Sequence, residues 1–282
     1  MEKSVYRASE NTLISLSGGR TSGFLLYKTL QEYGGQLPDN IKVIFANTGK
    51  ELPETLDFVR DIEANWRVPV TWVEYGGRTP IKDSKNYDYK VNVVDYKTAS
   101  RNGEPFSQLL IDVKGLPNPM SRYCSGQLKI RTMTRYLQSI GWEKGWNCFI
   151  GIRADEPRRA AKLHNKINEG QDYFCPLYLD KVTKEDVGNF WADNSFDLNL
   201  PNNNGTTDWG NCDLCFLKAK NKRLSIIQER PDLAQWWIDV EEKKKDQFDR
   251  NGWKYSQMKV IASSQSSLFN YGNESIPCFC GD

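Results

Sequence analysis

The stretch Leu13 to Leu30, LISLSGGRTSGFLLYKTL, constrains the fold more than any other. A short apolar run meets a Gly-Gly turn and then an amphipathic segment of helical period. That is the pattern of a strand, a tight loop and a helix. Gly18 and Gly19 let backbone N–H groups approach an anion closely, and the following helix turns its positive end toward it. Ser17, Thr21 and Ser22 add hydroxyl donors, while Arg20 either adds charge or points to solvent. No lysine stands where a P-loop would carry one. On this motif alone a strand-to-helix turn rich in small residues remains the competing reading.

The surrounding chain repeats the alternation. NTLIS (11–15), KVIFAN (42–47), VPVTWVEY (68–75) and NCFIGI (147–152) read as buried parallel strands. Helices are expected over 22–32, from Pro53 through PETLDFVRDIEANW, and through GQLKIRTMTRYLQSIG. This βαβαβ order predicts an α/β fold, a Rossmann-like parallel sheet with helices on both faces. Residues 1–175 form that domain, with 76–119 a polar excursion or lid holding a short helix near 106–111. Residues 176–282 form a helical, cysteine-containing extension. It carries a capping box at Thr183 and Asp186 and two helices split at Pro231. Asn47 and Thr48, at the end of the second strand, are expected to face the same crevice as the glycine loop. Glu51 and Glu54 complement the start of the next helix, Glu54 above all.

No apolar run nears the roughly 20 residues that span a bilayer, and MEKSVYRASENT lacks the apolar centre of a signal peptide. A cytoplasmic protein without a membrane partner is expected. In that compartment seven cysteines point to metal or redox chemistry rather than a disulfide framework. His164 is the only histidine, which excludes imidazole-rich metal sites and leaves no persuasive hydrolytic triad. A net charge of +2 does not single out nucleic acid. Cys212 and Cys215 form a C-x-x-C, joined by scattered Cys124, Cys278 and Cys280. Thiolates from distant loops around one iron–sulfur cluster, a zinc site and unligated thiols all fit that spacing. The metal candidates are Cys124, Cys212, Cys215 and Cys280, with Cys278 as substitute for the last. Cys148 reads as core. Arg131 and Arg135 read as a solvated helix face, and Trp236 and Trp237 as packing of the helical part.

The order SGGRTS, FANTGKELPETL, SRYCSGQLKIRTM and IGIRADEPRRA, spanning Leu13 to Ala160, resembles the phosphoadenosine phosphosulfate (PAPS) reductase family. That family lies in the adenine nucleotide alpha hydrolase (HUP) group, with the ATP pyrophosphatases. GNCDLCFLK resembles a phage-type PAPS reductase-like subgroup. The resemblance implies that residues 1–175 bind an adenine nucleotide, PAPS or ATP. Ser17, Gly18, Gly19, Arg20, Thr21 and Ser22 would hold its phosphate or sulfate end, with Asn47 and Thr48 near the adenosine. Gly151, Arg153 and Arg158 would form a second contacting strand end, with Asp155 and Glu156 orienting the arginines or assisting a metal ion. Arg159 reads as a solvated helix start. Arg122, Lys129 and Arg153 are the catalytic candidates.

The resemblance also implies a 4Fe-4S cluster close to the nucleotide, with zinc as alternative, and a thiol or electron-donor protein as partner. The expected activity is sulfonucleotide reduction. Against it, the family's C-terminal Glu-Cys-Gly-(Ile/Leu)-His motif is missing, and CFCGD is the nearest string. One alternative is an ATP-dependent adenylating sulfurtransferase acting on a nucleic-acid base or small molecule. There Thr21 replaces the aspartate of SGGxDS that organises magnesium. A catalytically inactive nucleotide-binding regulator is the other.

Overall fold

The computed structural model describes residues 4–143, 145–164, 171–203, 205–249 and 252–264. Cys278 and Cys280 lie outside the described residues, as does the side chain of His164. Four parallel strands stand where apolar runs predict them: β1 (Thr12–Leu16), β2 (Ile41–Asn47), β3 (Val70–Pro80) and β5 (Trp146–Phe149). β6 (Gln171–Phe174) adds a fifth, parallel to β5, and β4 (Tyr87–Val94) pairs antiparallel with β3. The sheet order is β4-β3-β2-β1-β5-β6. Its parallel part, β3-β2-β1-β5-β6, is the order of a Rossmann-like sheet.

Alternation along β1 shows why its strands are apolar throughout. Ile14 and Leu16 join the core that holds α1 (Arg20–Glu32) and α2 (Pro53–Trp66), while Leu13 joins the opposite core. That second core takes in Met133 and Leu137 of α4 (Thr132–Ser139) and Ala160 of α5 (Pro157–His164). Both faces of the sheet are covered, so neither can carry polar side chains cheaply. Pro53 opens α2 with its missing N–H in the orphan first turn.

Residues 76–119 are more regular than an excursion. β3 runs on to Pro80, returns as β4, and leads to α3 (Glu104–Asp112), which brackets the expected helix. The C-terminal helices do not stand apart. Trp191 of α7 (Lys184–Asp193) and Trp237 of α9 (Ala234–Lys244) join the same buried cluster as Leu25 and Phe58. The Trp191 indole donates to the Arg20 carbonyl at 2.8 Å, tying α7 to the start of α1. The Thr183–Asp186 capping box forms as expected. So does the break at Pro231, between α8 (Lys220–Glu229) and a short turn leading into α9. α6 (Pro176–Leu179) and α10 (Tyr255–Ser264) are the remaining α-helices among the described residues. Among the described residues no helix is long and apolar enough to cross a membrane.

Candidate functional site

β1 and β5 flank the point where the sheet order reverses, and their carboxyl ends open onto one crevice. After β1 comes the glycine loop. Gly18 has φ of 78°, and a Cβ there would stand 2.5 Å from Thr55 Cγ2, so both conformation and space require glycine. The serine hydroxyls are not the free donors expected. Ser17 donates to Ser22 Oγ at 2.9 Å, and Ser22 donates to the Gly19 carbonyl at 2.9 Å. They shape the turn instead. The first-turn N–H groups of α1 remain, with no acceptor inside the helix.

After β5, Gly151 passes so close that a Cβ would meet the Ser22 backbone at 3.2 Å. Two residues on, Arg153 is buried and reaches across the crevice, Nη1 donating to Thr21 Oγ1 at 2.8 Å. Asp155 (3.1 Å) and Glu156 (3.5 Å) hold the other guanidinium nitrogens, the orienting role expected of them. A guanidinium therefore stands at the loop position where the pyrophosphatase pattern has a magnesium-organising aspartate. Arg158 is exposed and makes none of these contacts. Arg159 is not solvated as expected: its side chain is largely buried and paired with Glu156.

Arg20 does not point to solvent. It is 2% exposed, and its Nε and Nη2 grip Asp197 at 2.7 and 2.6 Å. Asn47 and Thr48 also depart from expectation, because both are buried and engaged. The Asn47 amide donates to Glu74 (2.6 Å) and to the Ser100 carbonyl (2.8 Å). Thr48 donates through its N–H and hydroxyl to Glu51 Oε2, each at 2.8 Å. Both residues brace the β2–α2 turn, and Thr48 also lines the small cavity that holds Cys212. Glu51 holds that turn from below, and Glu54 sits in the first turn of α2 as expected.

Three of the four predicted metal-ligand cysteines converge. Cys124, Cys212 and Cys215 line one small cavity, with Thr48, Leu128 and Lys129. Cys212 forms a β-bridge with Glu51 and lies 3.5 Å from Thr48 Oγ1. Lys129 is buried with Nζ 3.4 Å from Glu51 Oε1. It lies in a π-helical turn, Ser125–Arg131, a distortion that recurs at functional sites. Burial, and then the Glu51 carboxylate, push the Cys212 thiol well above its usual range, with Lys129 pulling the other way. Arg122 is exposed, donating to the Pro119 carbonyl at 3.0 Å, and is not among the cavity residues. Arg131 and Arg135 are no bare solvated face, since both lie over the Tyr89 ring. Cys148 is core, as expected, its thiol pushed up by burial. Thiol donors from distant loops fit a shared metal or cluster. Yet among the described residues no three His, Cys, Asp or Glu side chains are grouped so as to hold a metal ion.

Sequence reading missed what positions these thiols. Between the two cysteines, Asp213 forms a buried ion pair with Lys50 at 2.8 Å and accepts the Trp237 indole N–H at 2.8 Å. The Asp213 N–H also donates to the Lys50 carbonyl at 2.8 Å. A charge inside C-D-L-C was the available signal, because a loop of buried thiols leaves it needing a partner. Asn211 was missed too, and it lines both the thiol cavity and a second small cavity over the glycine loop. A larger groove at the amino ends of β2 and β3, against Lys42, Arg67 and Trp142, lies away from every one of these groups.

Fold and site together define a Rossmann-like α/β protein with a glycine loop and a thiol cavity side by side at the carboxyl ends of its strands. No protein-family model matches the chain. It is 30% identical over 210 residues to the uncharacterized nin region protein ORF290 of Escherichia phage lambda, covering 74% of this chain and 67% of the phage protein. The chain belongs to the family of that phage protein. An uncharacterized protein of Methanocaldococcus jannaschii is 23% identical over 260 residues, 86% of this chain, and the chain spans about half (51%) of its length. The solved structure of the U34-tRNA thiolase NcsA from Methanococcus maripaludis, with its 4Fe-4S cluster, matches at 15% identity and a TM-score of 0.39. That match covers 98% of this chain and 80% of the thiolase, and at that score the likeness is weak.

Proposed function

We propose that the protein is an enzyme of sulfur chemistry that binds an adenine nucleotide at the glycine loop and acts on it beside Cys124, Cys212 and Cys215. The carrying observation is adjacency. Asn211 lines both the loop cavity and the thiol cavity, so an anion in one lies next to the thiols of the other. Gly18, Gly19 and the first turn of α1 supply N–H donors, and Arg153 supplies charge at Thr21. Lys129, buried between Glu51 and the thiols, keeps a positive charge within the cysteine site.

Sulfonucleotide reduction is the first reading, and the Thr21–Arg153 contact favours it. With a guanidinium in the place of a magnesium-organising carboxylate, the loop suits an anion bound without a metal ion. In that reaction the S–O bond of the phosphosulfate anhydride breaks, the nucleotide leaves with the bridging oxygen on its phosphate, and a dithiol donor gives up two electrons to become a disulfide as sulfite is released. The second reading, ATP-dependent adenylation followed by sulfur transfer, is favoured by the convergence of three cysteines from distant loops. Cys124, Cys212 and Cys215 would then hold a cluster that carries or activates sulfur, Cys280 being the fourth candidate.

Anaerobically purified protein incubated with PAPS and a dithiol, or with ATP and candidate acceptors, separates the readings. Sulfite release supports the first, and acceptor-dependent pyrophosphate release the second. Release of neither, with nucleotide bound, would favour a regulator and overturn the enzyme reading. Iron and zinc counts with the visible spectrum test the metal site separately.

A further inference from the structure

We propose that the surface from the π-helical turn and α4 to the outer hairpin of the sheet, β3 and β4, is a track for a single-stranded nucleic acid, along which an unpaired base reaches the thiol cavity. This rests on reading the thiols as the reacting site, and it names the acceptor of the second reading as a nucleic-acid base rather than a small molecule.

The sequence carries the first observation. Between Asp112 and Glu143 stand Lys114, Arg122, Lys129, Arg131 and Arg135, and no aspartate or glutamate. That stretch is +5 in a chain of net +2, so the remaining residues sum to −3. Cys124 lies inside it. A near-even balance over the whole chain therefore hides a basic segment around one of the three thiols, which is the electrostatic footprint of a polyanion's partner.

The structure shows where those charges stand. Lys129 lines the thiol cavity, while Arg131, two residues on, lies over the Tyr89 ring of β4 at 5.1 Å and donates to its hydroxyl at 2.7 Å. Arg135, exposed one turn further, lies over the same ring at 5.4 Å. Tyr87 shares that face of β4 and carries Arg78 at 4.0 Å, and Asp88 between the tyrosines falls on the other face. Arg78 and Arg135 donate to neutral acceptors, the Asp112 carbonyl (2.9 Å) and Gln138 (3.1 Å). The Asp112 carboxylate accepts the Tyr75 hydroxyl and the Arg78 backbone N–H instead. Among the described residues neither guanidinium meets a carboxylate within ion-pair distance. Two residues of helix rise about 3 Å, so this face adjoins the cavity wall.

Those groups select the partner. A flat guanidinium laid on an aromatic ring keeps its N–H edge for a phosphate fork and its outer face for a base. Rings and guanidiniums side by side form a platform on which unpaired bases stack. The thiols are recessed, and a base paired within a duplex cannot reach a recessed site. Both points favour a single strand over a duplex. They also favour it over an acidic protein, whose carboxylates would use the charge and leave the planes idle.

The test is fluorescence anisotropy of the full chain with an end-labelled, mixed-sequence RNA of about 20 nucleotides, the matching DNA strand and its duplex, from about 50 to 200 mM potassium chloride. Wild type is expected to bind a single strand, log affinity falling against log salt with a slope of about −2, the figure for three phosphates of a single strand. Arg78→Gln combined with Arg135→Gln should weaken binding about tenfold or more at low salt and bring the slope to about −0.7. Lys42→Gln combined with Arg67→Gln removes the same charge from the groove at the amino ends of the strands, and should change neither.

No single-strand binding by wild type, unchanged binding in the first pair, or an equal loss in the second pair overturns the proposal. So does a duplex bound as tightly as the strand, or displacement of the strand by polyglutamate of matched charge. Binding of either RNA or DNA supports it, and the tighter of the two identifies the strand. Circular dichroism checks folding. If Arg78→Gln perturbs it, Arg135→Gln alone decides, at an exposed position, by a slope change of about 0.7. Sulfite released from PAPS by a protein that binds no strand sinks this inference alone. A strand bound by a protein that turns over neither PAPS nor ATP sinks the functional reading alone.

Discussion

Lys50→Met keeps most of the side-chain stem and removes the charge facing Asp213. In the native protein Nζ stands 2.8 Å from Asp213 Oδ2, with the two side chains only 7% and 4% exposed. Two donors to Asp213 survive the substitution, the Trp237 indole at 2.8 Å and the Leu214 N–H at 2.6 Å. Removing one partner of a buried pair costs about 3–5 kcal/mol, and those surviving donors place this case near the lower figure. A loss of about 3 kcal/mol is a large share of the 5–15 kcal/mol typical of a folded domain. Asp213→Asn strands the Lys50 ammonium instead, with the Trp236 ring 5.0 Å away as its remaining partner.

The double variant removes both charges, so its cost should fall below the sum of the single costs by about 2 kcal/mol. Urea denaturation at pH 7 reads this as a lower midpoint at unchanged slope. The sign with pH follows from burial, which holds the Asp213 carboxyl above its usual range. The folded state then binds that proton more tightly than the unfolded chain. Stability of Lys50→Met should be greatest in acid and fall as pH rises through the raised value. A cost under about 1 kcal/mol for Lys50→Met, or singles that simply add, would show that this pair does not hold the cysteine loop.

Gly18→Ala puts a Cβ 2.5 Å from Thr55 Cγ2 at a φ of 78°. It should cost about 2–4 kcal/mol by urea denaturation, from backbone and packing strain together. Asp186 accepts the Thr183 N–H at 2.8 Å and the Thr183 hydroxyl at 2.7 Å, which lowers its pKa. Its contribution is present above the unfolded carboxyl's range and lost as pH falls through the lowered value, so Asp186→Asn should flatten that part of the stability profile. Burial pushes the Cys175 thiol up to about 11, against the pull of Arg159. Iodoacetamide labelling of Cys175 should be slow at pH 8 and quicken about tenfold per pH unit toward that value; labelling at the rate of a free cysteine would contradict it.

Much of the sheet was legible because its strands are apolar on both faces, and so stand out against polar connections. β1, β2 and the Pro53 start of α2 fall within a residue or two of their expected places. β4 was not legible. As an edge strand it alternates partly buried and exposed positions, and YDYKVNVV reads like the polar stretch around it. The π-helical turn after Cys124 leaves no trace in spacing. At the site, the gathering of Cys124, Cys212 and Cys215 was visible from scarcity of other ligands and from resemblance. The partners that fix each side chain were not. Arg20 finds Asp197, and Lys50 finds Asp213, across more than 160 positions of chain. No local pattern records such pairings. Asn47 shows the same at shorter range, its amide spent on Glu74, 27 positions on.

Anaerobic calorimetry of the purified protein with PAPS and with ATP, on wild type and Arg153→Ala, is the most direct test of a nucleotide site beside the thiols. Saturable binding of at least one nucleotide is expected, weakened about tenfold or more when the guanidinium at Thr21 is removed. Binding of neither nucleotide, or binding indifferent to Arg153, would contradict it.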